Sequence, residues 1–218
     1  LATFTRRGAG VDSFLGEAGV LVGSEESNAL LQKLEDNETA LAALGCPGWD
    51  APQQASGAPA WPTGRIASIS HGQGWALAVA ARQTHWQAIG LDVERCLSTQ
   101  RSERLLRQLL TPAEISRLPA HPEHRARQIT LSFSAKESLY KALHPLCGVS
   151  FFFQDAELVA AGDGQLRLRL LRDLPIDTLK LDRHLVARLP GSAADAARRW
   201  QKRWESKATI CPMWSMRM

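Results

Sequence analysis

Between Arg65 and Glu94 three runs of strand-forming residues follow one another with only turns between them: Arg65 to Ser70, Trp75 to Ala80 and Gln87 to Glu94. Leu77 and Val79 alternate with small residues after Trp75, and the His71 to Gly74 link reads as a hairpin turn. Past Cys96 the pattern turns helical, with Leu105, Leu106, Leu109 and Leu110 at helical spacing. A second helix starts at Thr111-Pro112-Ala113-Glu114, where Thr is the cap, Pro fills the first turn and Glu closes a capping box. A third is expected to begin at Ser134. Strands return at Ser150 to Phe153, Gln165 to Leu171 and His184 to Leu189. Strands in one group and helices in another exclude the regular alternation of a doubly wound parallel sheet. The expected class is α+β, in two lobes that each carry a small antiparallel sheet packed with helices.

The flanks add less. Residues 1 to 27 are rich in Gly and small polar residues and show little periodicity, whereas Leu30, Leu31, Leu34, Leu41 and Leu44 predict a helix ending before Gly45. Residues 45 to 64 have loop composition and close on Trp61-Pro62-Thr63-Gly64. Residues 192 to 207 form a basic helix candidate with Trp200 and Trp204. Arg198, Arg199, Lys202, Arg203 and Lys207 there could touch nucleic acid, but a solvated amphipathic face explains them better, so no nucleic-acid partner is expected.

Charge and cysteine usage narrow the function classes. The formal net charge of +4 favours an acidic partner, either phosphates or an acidic protein surface. Cys46, Cys96, Cys147 and Cys211 form no C-x-x-C pair, which argues against a zinc site and a disulfide framework and for a reducing compartment. No apolar run approaches the roughly 18 residues of a membrane span. The opening residues, with Arg6-Arg7 before a Gly-rich acidic stretch, lack a signal-peptide core. A soluble cytoplasmic protein is the expectation.

Two acidic motifs carry the chemistry. In a strand over Gln87 to Glu94, Ile89, Leu91 and Val93 share one face while Gly90, Asp92 and Glu94 share the other. Asp92 and Glu94 then stand roughly 7 Å apart along the strand, close enough to reach one cation, and Gly90 leaves room for a ligand. A polar strand edge would also explain them, although like charges so placed repel unless a cation neutralises them. In the helix from Ser134, Ala135, Leu139, Ala142 and Leu143 mark the buried stripe. Glu137 and Lys141 are neighbours one turn apart on another face. Glu137 would be a third oxygen ligand or a general base, Lys141 a phosphate partner and Lys136 a further cation at the margin of the site. A capping box from Ser134 to Glu137 and a Glu137–Lys141 surface pair account for those two residues alone. They do not account for Asp92, Glu94 or His71. Ser70 and His71, at the end of a strand and the start of a turn, could face an anionic ligand.

Taken together, Trp61-Pro62 leading to Ser68-Ile69-Ser70-His71, then Ile89-Gly90-Leu91-Asp92-Val93-Glu94, then Leu131-Ser132-Phe133-Ser134-Ala135-Lys136-Glu137-Ser138-Leu139-Tyr140-Lys141-Ala142, resemble the 4'-phosphopantetheinyl transferases. Within that family they are most similar to the subgroup that contains enterobactin synthetase component D. The resemblance runs from about Leu41 to Phe153. It implies two similar lobes related by a pseudo-twofold axis, residues 1–98 and 99–218, with coenzyme A in the cleft between them. It implies transfer of the phosphopantetheine arm of coenzyme A to a serine of an apo acyl, peptidyl or aryl carrier protein, a partner that could belong to a nonribosomal peptide synthetase complex. Asp92, Glu94 and Glu137 would hold magnesium, and Glu137 would act as the base for the carrier serine, directly or through water. His71 and Lys141 would bind phosphates, Ser70 the ligand beside them, and Lys136 would lie nearby. Where the family places a basic residue ahead of Pro-x-Trp-Pro, for the 3'-phosphate, this sequence has Gly57-Ala58, and Arg65 is the candidate substitute. That departure motivates an alternative: a non-catalytic coenzyme A or carrier-binding module on the same fold.

Overall fold

The computed structural model describes residues 3–6, 9–13, 19–25, 41–42, 45–50, 52–55, 58–72, 75–84, 86–162, 165–173, 184–188, 209–210 and 213–217. The chain divides into two compact units, Leu1–Val93 with Ser215–Met218, and Glu94–Trp214. The class is the expected one, helices combined with small, largely antiparallel sheets.

In the first unit, strands β1 (Thr3–Arg6), β2 (Ala9–Ser13), β3 (Gly19–Glu25), β4 (Arg65–Gly72) and β5 (Trp75–Arg82) form a sheet in the order β2-β1-β3-β5-β4. All neighbours are antiparallel except β1 and β3, which run parallel. The β4–β5 hairpin matches the sequence reading, with Gly72 opposite Trp75 and Ser70 opposite Leu77. Strand β5 is bracketed by β3 and β4, and Leu77, Ala78, Val79, Ala80 and Ala81 are all buried. An uninterrupted apolar run of this kind marks a strand covered on both faces. The three N-terminal strands were not anticipated, since their Gly-rich residues carry little alternation of their own.

The loop before β4 ends in a tight turn. Gly64 adopts φ 73, and the Arg65 amide donates to the Pro62 carbonyl at 3.0 Å, the arrangement of a type II turn with glycine at its third position. Beneath it Leu41, Ala67 and Ala80 form a small core against which Cys46, Trp49 and Trp61 pack. Trp49 Nε1 donates to the Ala60 carbonyl at 2.9 Å, so the indole is satisfied where it is partly buried. Strand β6 (Trp86–Leu91) lies against β4 and β5.

The second unit begins at β7 (Glu94–Arg95), paired antiparallel with β11 (Thr209–Ile210). Helices α1 (Thr99–Leu109), α2 (Pro112–Ser116) and α3 (Pro122–Cys147) follow. Strands β8 (Ala156–Gly162), β9 (Gln165–Leu170) and β10 (His184–Arg188) run antiparallel in that order, and Arg188 of β10 meets Met213 of β12 (Met213–Arg217). Leu109, Leu110 and Ile129 centre the core, with Leu105, Leu106, Phe133 and Phe153 packed around them. The capping box at the start of α2 is present as read, with Thr111 Oγ1 accepting from the Glu114 amide at 3.2 Å and Glu114 Oε2 from the Thr111 amide at 2.8 Å.

Two boundaries differ from expectation. Helix α3 starts at Pro122 rather than Ser134, and Ser134 is buried in mid-helix, so it cannot cap. The polar first turns, Pro122 to Arg127, hid that start. The expected strand at Ser150 to Phe153 is replaced by a 3-10 turn at Phe153–Asp155, where Asp155 Oδ2 accepts from the Phe152 amide at 2.8 Å and the strand begins only at Ala156. The helix expected before Gly45, beyond Leu41 and Ala42, and the basic helix over 192 to 207 lie outside the described residues. Among the described residues no helix is long and apolar enough to cross a membrane.

Candidate active site

The first unit brings two of the three motifs together. Ser68 and Ser70, alternate residues of β4, share a face of the strand. Ser68 Oγ accepts from the Leu91 amide at 3.0 Å and Ser70 Oγ from the Val93 amide at 3.2 Å. The chain leaving β6 is thereby docked on side-chain hydroxyls. Asp92 lies between those two amides, and its Oδ1 accepts the Ser70 hydroxyl at 3.1 Å. At 4% exposure Asp92 is a buried carboxylate, not the polar edge of a strand. The regular alternation expected over Gln87 to Glu94 is absent, because β6 ends at Leu91 and Ile89, Gly90, Leu91, Asp92 and Val93 are all buried. Ser70 itself is buried, while His71, next along β4, is exposed. Arg65, at the start of that strand, is half-buried and donates from Nη1 to the Gly64 carbonyl at 3.2 Å.

In the second unit Glu94 is half-buried, opposite Ile210 across the β7–β11 pair. On α3, Ser132, Lys136, Leu139 and Leu143 fall on a buried stripe, whereas Glu137, Tyr140, Lys141 and His144 are half-buried. These four recur at i, i+3, i+4 and i+7, so they form one face of the helix. The Tyr140 ring stacks on His144 with centroids 5.0 Å apart and meets Phe151 at 5.2 Å, which orders the C-terminal end of that face.

Lys136 departs from the margin position expected of it. Its Nζ is sealed inside the second unit, 2.6 Å from Glu114 Oε2 and donating to the Leu109 carbonyl at 2.8 Å. Burial lowers its pKa, and the charge and hydrogen bond of Glu114 only partly oppose that. Glu114 is the hub of this knot. Besides Lys136 and the Thr111 amide it takes the Leu158 amide on Oε1 at 2.9 Å, tying α2, α3 and β8 together. The sequence signal for this was the Thr111–Glu114 box, but nothing in it announced a buried lysine partner. Nearby, Glu157 is buried between Arg117 and Arg169. Burial alone would raise its pKa, yet the hydrogen bonds and charges of the two arginines outweigh it, and the carboxyl is held below its ordinary range.

Asp92 therefore belongs to one unit, and Glu94 and Glu137 to the other. Among the described residues neither unit by itself groups three or more His, Cys, Asp or Glu side chains so as to hold a metal ion.

Two family profiles match the sequence. Residues 88–196 match the 4'-phosphopantetheinyl transferase superfamily, and residues 37–81 match the 4'-phosphopantetheinyl transferase N-terminal domain. Among curated relatives, 4'-phosphopantetheinyl transferase Svp of Streptomyces mobaraensis is 34% identical over 140 residues, covering 63% of this chain and 56% of the relative. Enterobactin synthase component D of Escherichia coli O157:H7 is 43% identical over 84 residues, covering 38% of this chain and 39% of that protein. 4'-phosphopantetheinyl transferase PptT of Mycobacterium tuberculosis is 30% identical over 107 residues, covering 49% and 46% respectively. The chain thus spans about half, or less, of the length of the relatives it matches.

Proposed function

Since the chain belongs to the 4'-phosphopantetheinyl transferase superfamily, whose profile matches residues 88–196, we propose that it transfers the phosphopantetheine arm of coenzyme A to a serine of an apo carrier protein. What supports the reading above all is that the matched stretch contains Asp92, Glu94, Glu137 and Lys141 together.

In the proposed reaction the carrier serine Oγ attacks the pyrophosphate phosphorus that bears the pantetheine arm. A P–O bond forms there, the P–O bond to the adenosine 3',5'-bisphosphate breaks, and the serine proton passes to Glu137. Lys141 and His71 bind phosphate oxygens, with Lys141 taking charge that grows on the leaving phosphate. Arg65, at the start of β4, is the residue proposed for the 3'-phosphate. Asp92, Glu94 and Glu137 supply hard carboxylate oxygens only, a donor set that suits magnesium rather than zinc. The buried Asp92, held by a neutral hydroxyl, fits the part of a ligand. A magnesium ion bound by these residues would neutralise the pyrophosphate. The likeness to enterobactin synthase component D supports a carrier within a nonribosomal peptide synthetase, and the soluble cytoplasmic setting is proposed with it.

The test is direct. The protein is incubated with coenzyme A, magnesium and a panel of apo acyl, peptidyl and aryl carrier domains, and intact mass is measured. A gain of one phosphopantetheine arm on at least one carrier is expected. Coenzyme A binding with no mass gain on any carrier would favour the binding-module alternative, which Gly57-Ala58 in place of a basic residue motivates.

A further inference from the structure

We propose that Ser70 is a positioning residue for Asp92, fixing the carboxylate in the orientation from which it takes a divalent cation, so that its effect on the reaction passes through Asp92. The inference rests on the transferase reading above and adds a role which that reading leaves open.

A serine hydroxyl has one proton to give and two lone pairs to offer. In Ser70 both functions are committed to the same short segment: the oxygen accepts from the Val93 amide at 3.2 Å, and the proton goes to Asp92 Oδ1 at 3.1 Å. The backbone on one side of Asp92 and one oxygen of its carboxylate are thus tied to a single atom of β4. Because β4 is held along its whole length by β5, that atom is part of a rigid scaffold. Outer partners that orient a ligating carboxylate in this way are worth about 10–100-fold in metal affinity or activity. The seating also explains why Ser70 is 5% exposed although it directly precedes the exposed His71.

Ser68 provides an internal control. It lies on the same strand and face, and its hydroxyl accepts the Leu91 amide at 3.0 Å, one residue before Asp92. Replacing either serine with alanine leaves one buried amide without its acceptor, so both should lower the thermal midpoint to a comparable degree. Only Ser70 touches the carboxylate in these bonds.

The experiment measures manganese binding by the paramagnetic resonance of the free ion, with coenzyme A present and no carrier. Wild type, Ser70→Ala, Ser70→Thr and Ser68→Ala are compared. The expected result is a loss of about 10–100-fold in manganese affinity for Ser70→Ala, recovery in Ser70→Thr, and wild-type affinity in Ser68→Ala despite its lowered midpoint. Wild-type affinity in Ser70→Ala, or an equal loss in Ser68→Ala, would overturn the assignment and leave the transferase reading standing. A wild-type protein that binds no manganese and modifies no carrier would overturn both.

Discussion

Asp92 and Glu114 are carboxylates buried to almost the same depth, at 4% and 5% exposure, and their surroundings differ in kind. Glu114 takes an ammonium and two backbone amides, and those bonds join three elements of the second unit. Asp92 takes a serine hydroxyl at the point where a strand ends, with its neighbours' amides also docked on hydroxyls. A carboxylate closed off by a buried cation is a fastener. One that accepts from a hydroxyl at a strand end is oriented by that bond, not locked between three elements. The same contrast separates Lys136 from Glu137, adjacent in sequence: the lysine points into the knot, and the glutamate stands on the half-buried face with Lys141.

The comparison can be broken at its structural end first. Lys136→Met leaves Glu114 as a buried charge without its ammonium, and should cost about 3–5 kcal/mol in denaturant unfolding. Lys136→Met combined with Glu114→Gln should recover part of that loss, because no lone buried charge remains. A Lys136→Met protein as stable as wild type would mean that the pair is no fastener.

Asp92→Asn tests the opposite end. The amide keeps an oxygen for Ser70 but removes the charge, so carrier modification should fall about 100-fold or more, with stability within about 1 kcal/mol of wild type. A large drop in stability with transfer intact would put Asp92 in the same class as Glu114. The smallest effect concerns pH. Glu157 is held below its ordinary range by Arg169 and Arg117, so its contribution is fully present above the unfolded carboxylate pKa and is lost as pH falls through the folded value. The thermal midpoint should decline across that acidic window, and Glu157→Gln should flatten the decline.

Much of this was legible because some motifs are local. The β4–β5 hairpin needed only two apolar runs and a short turn, and the Thr111 cap needed only three positions. The features that were misread depend on distant partners. Strand β3 is placed by pairing with β5, β1 by pairing with β3 and β2 by pairing with β1, not by their own alternation. Ser134 matched a cap in pattern, but helix α3 had already run for three turns behind polar residues. The sequence places Lys136 at the margin of the site beside Glu137 and Lys141, and the buried partner that draws it inward, Glu114, lies 22 residues away. The Ser70–Asp92 bond, also spanning 22 residues, was invisible for the same reason, though both residues had been singled out separately.

The sealing of Lys136 has a practical corollary. Lys136 stands 2% exposed, so an acylating reagent added to the native protein has no path to it, while Lys141 five residues on is only half-buried. Labelling at position 136 would therefore register opening of the second unit, and a tag at position 141 would report on the intact molecule, giving two chemical clocks on one helix.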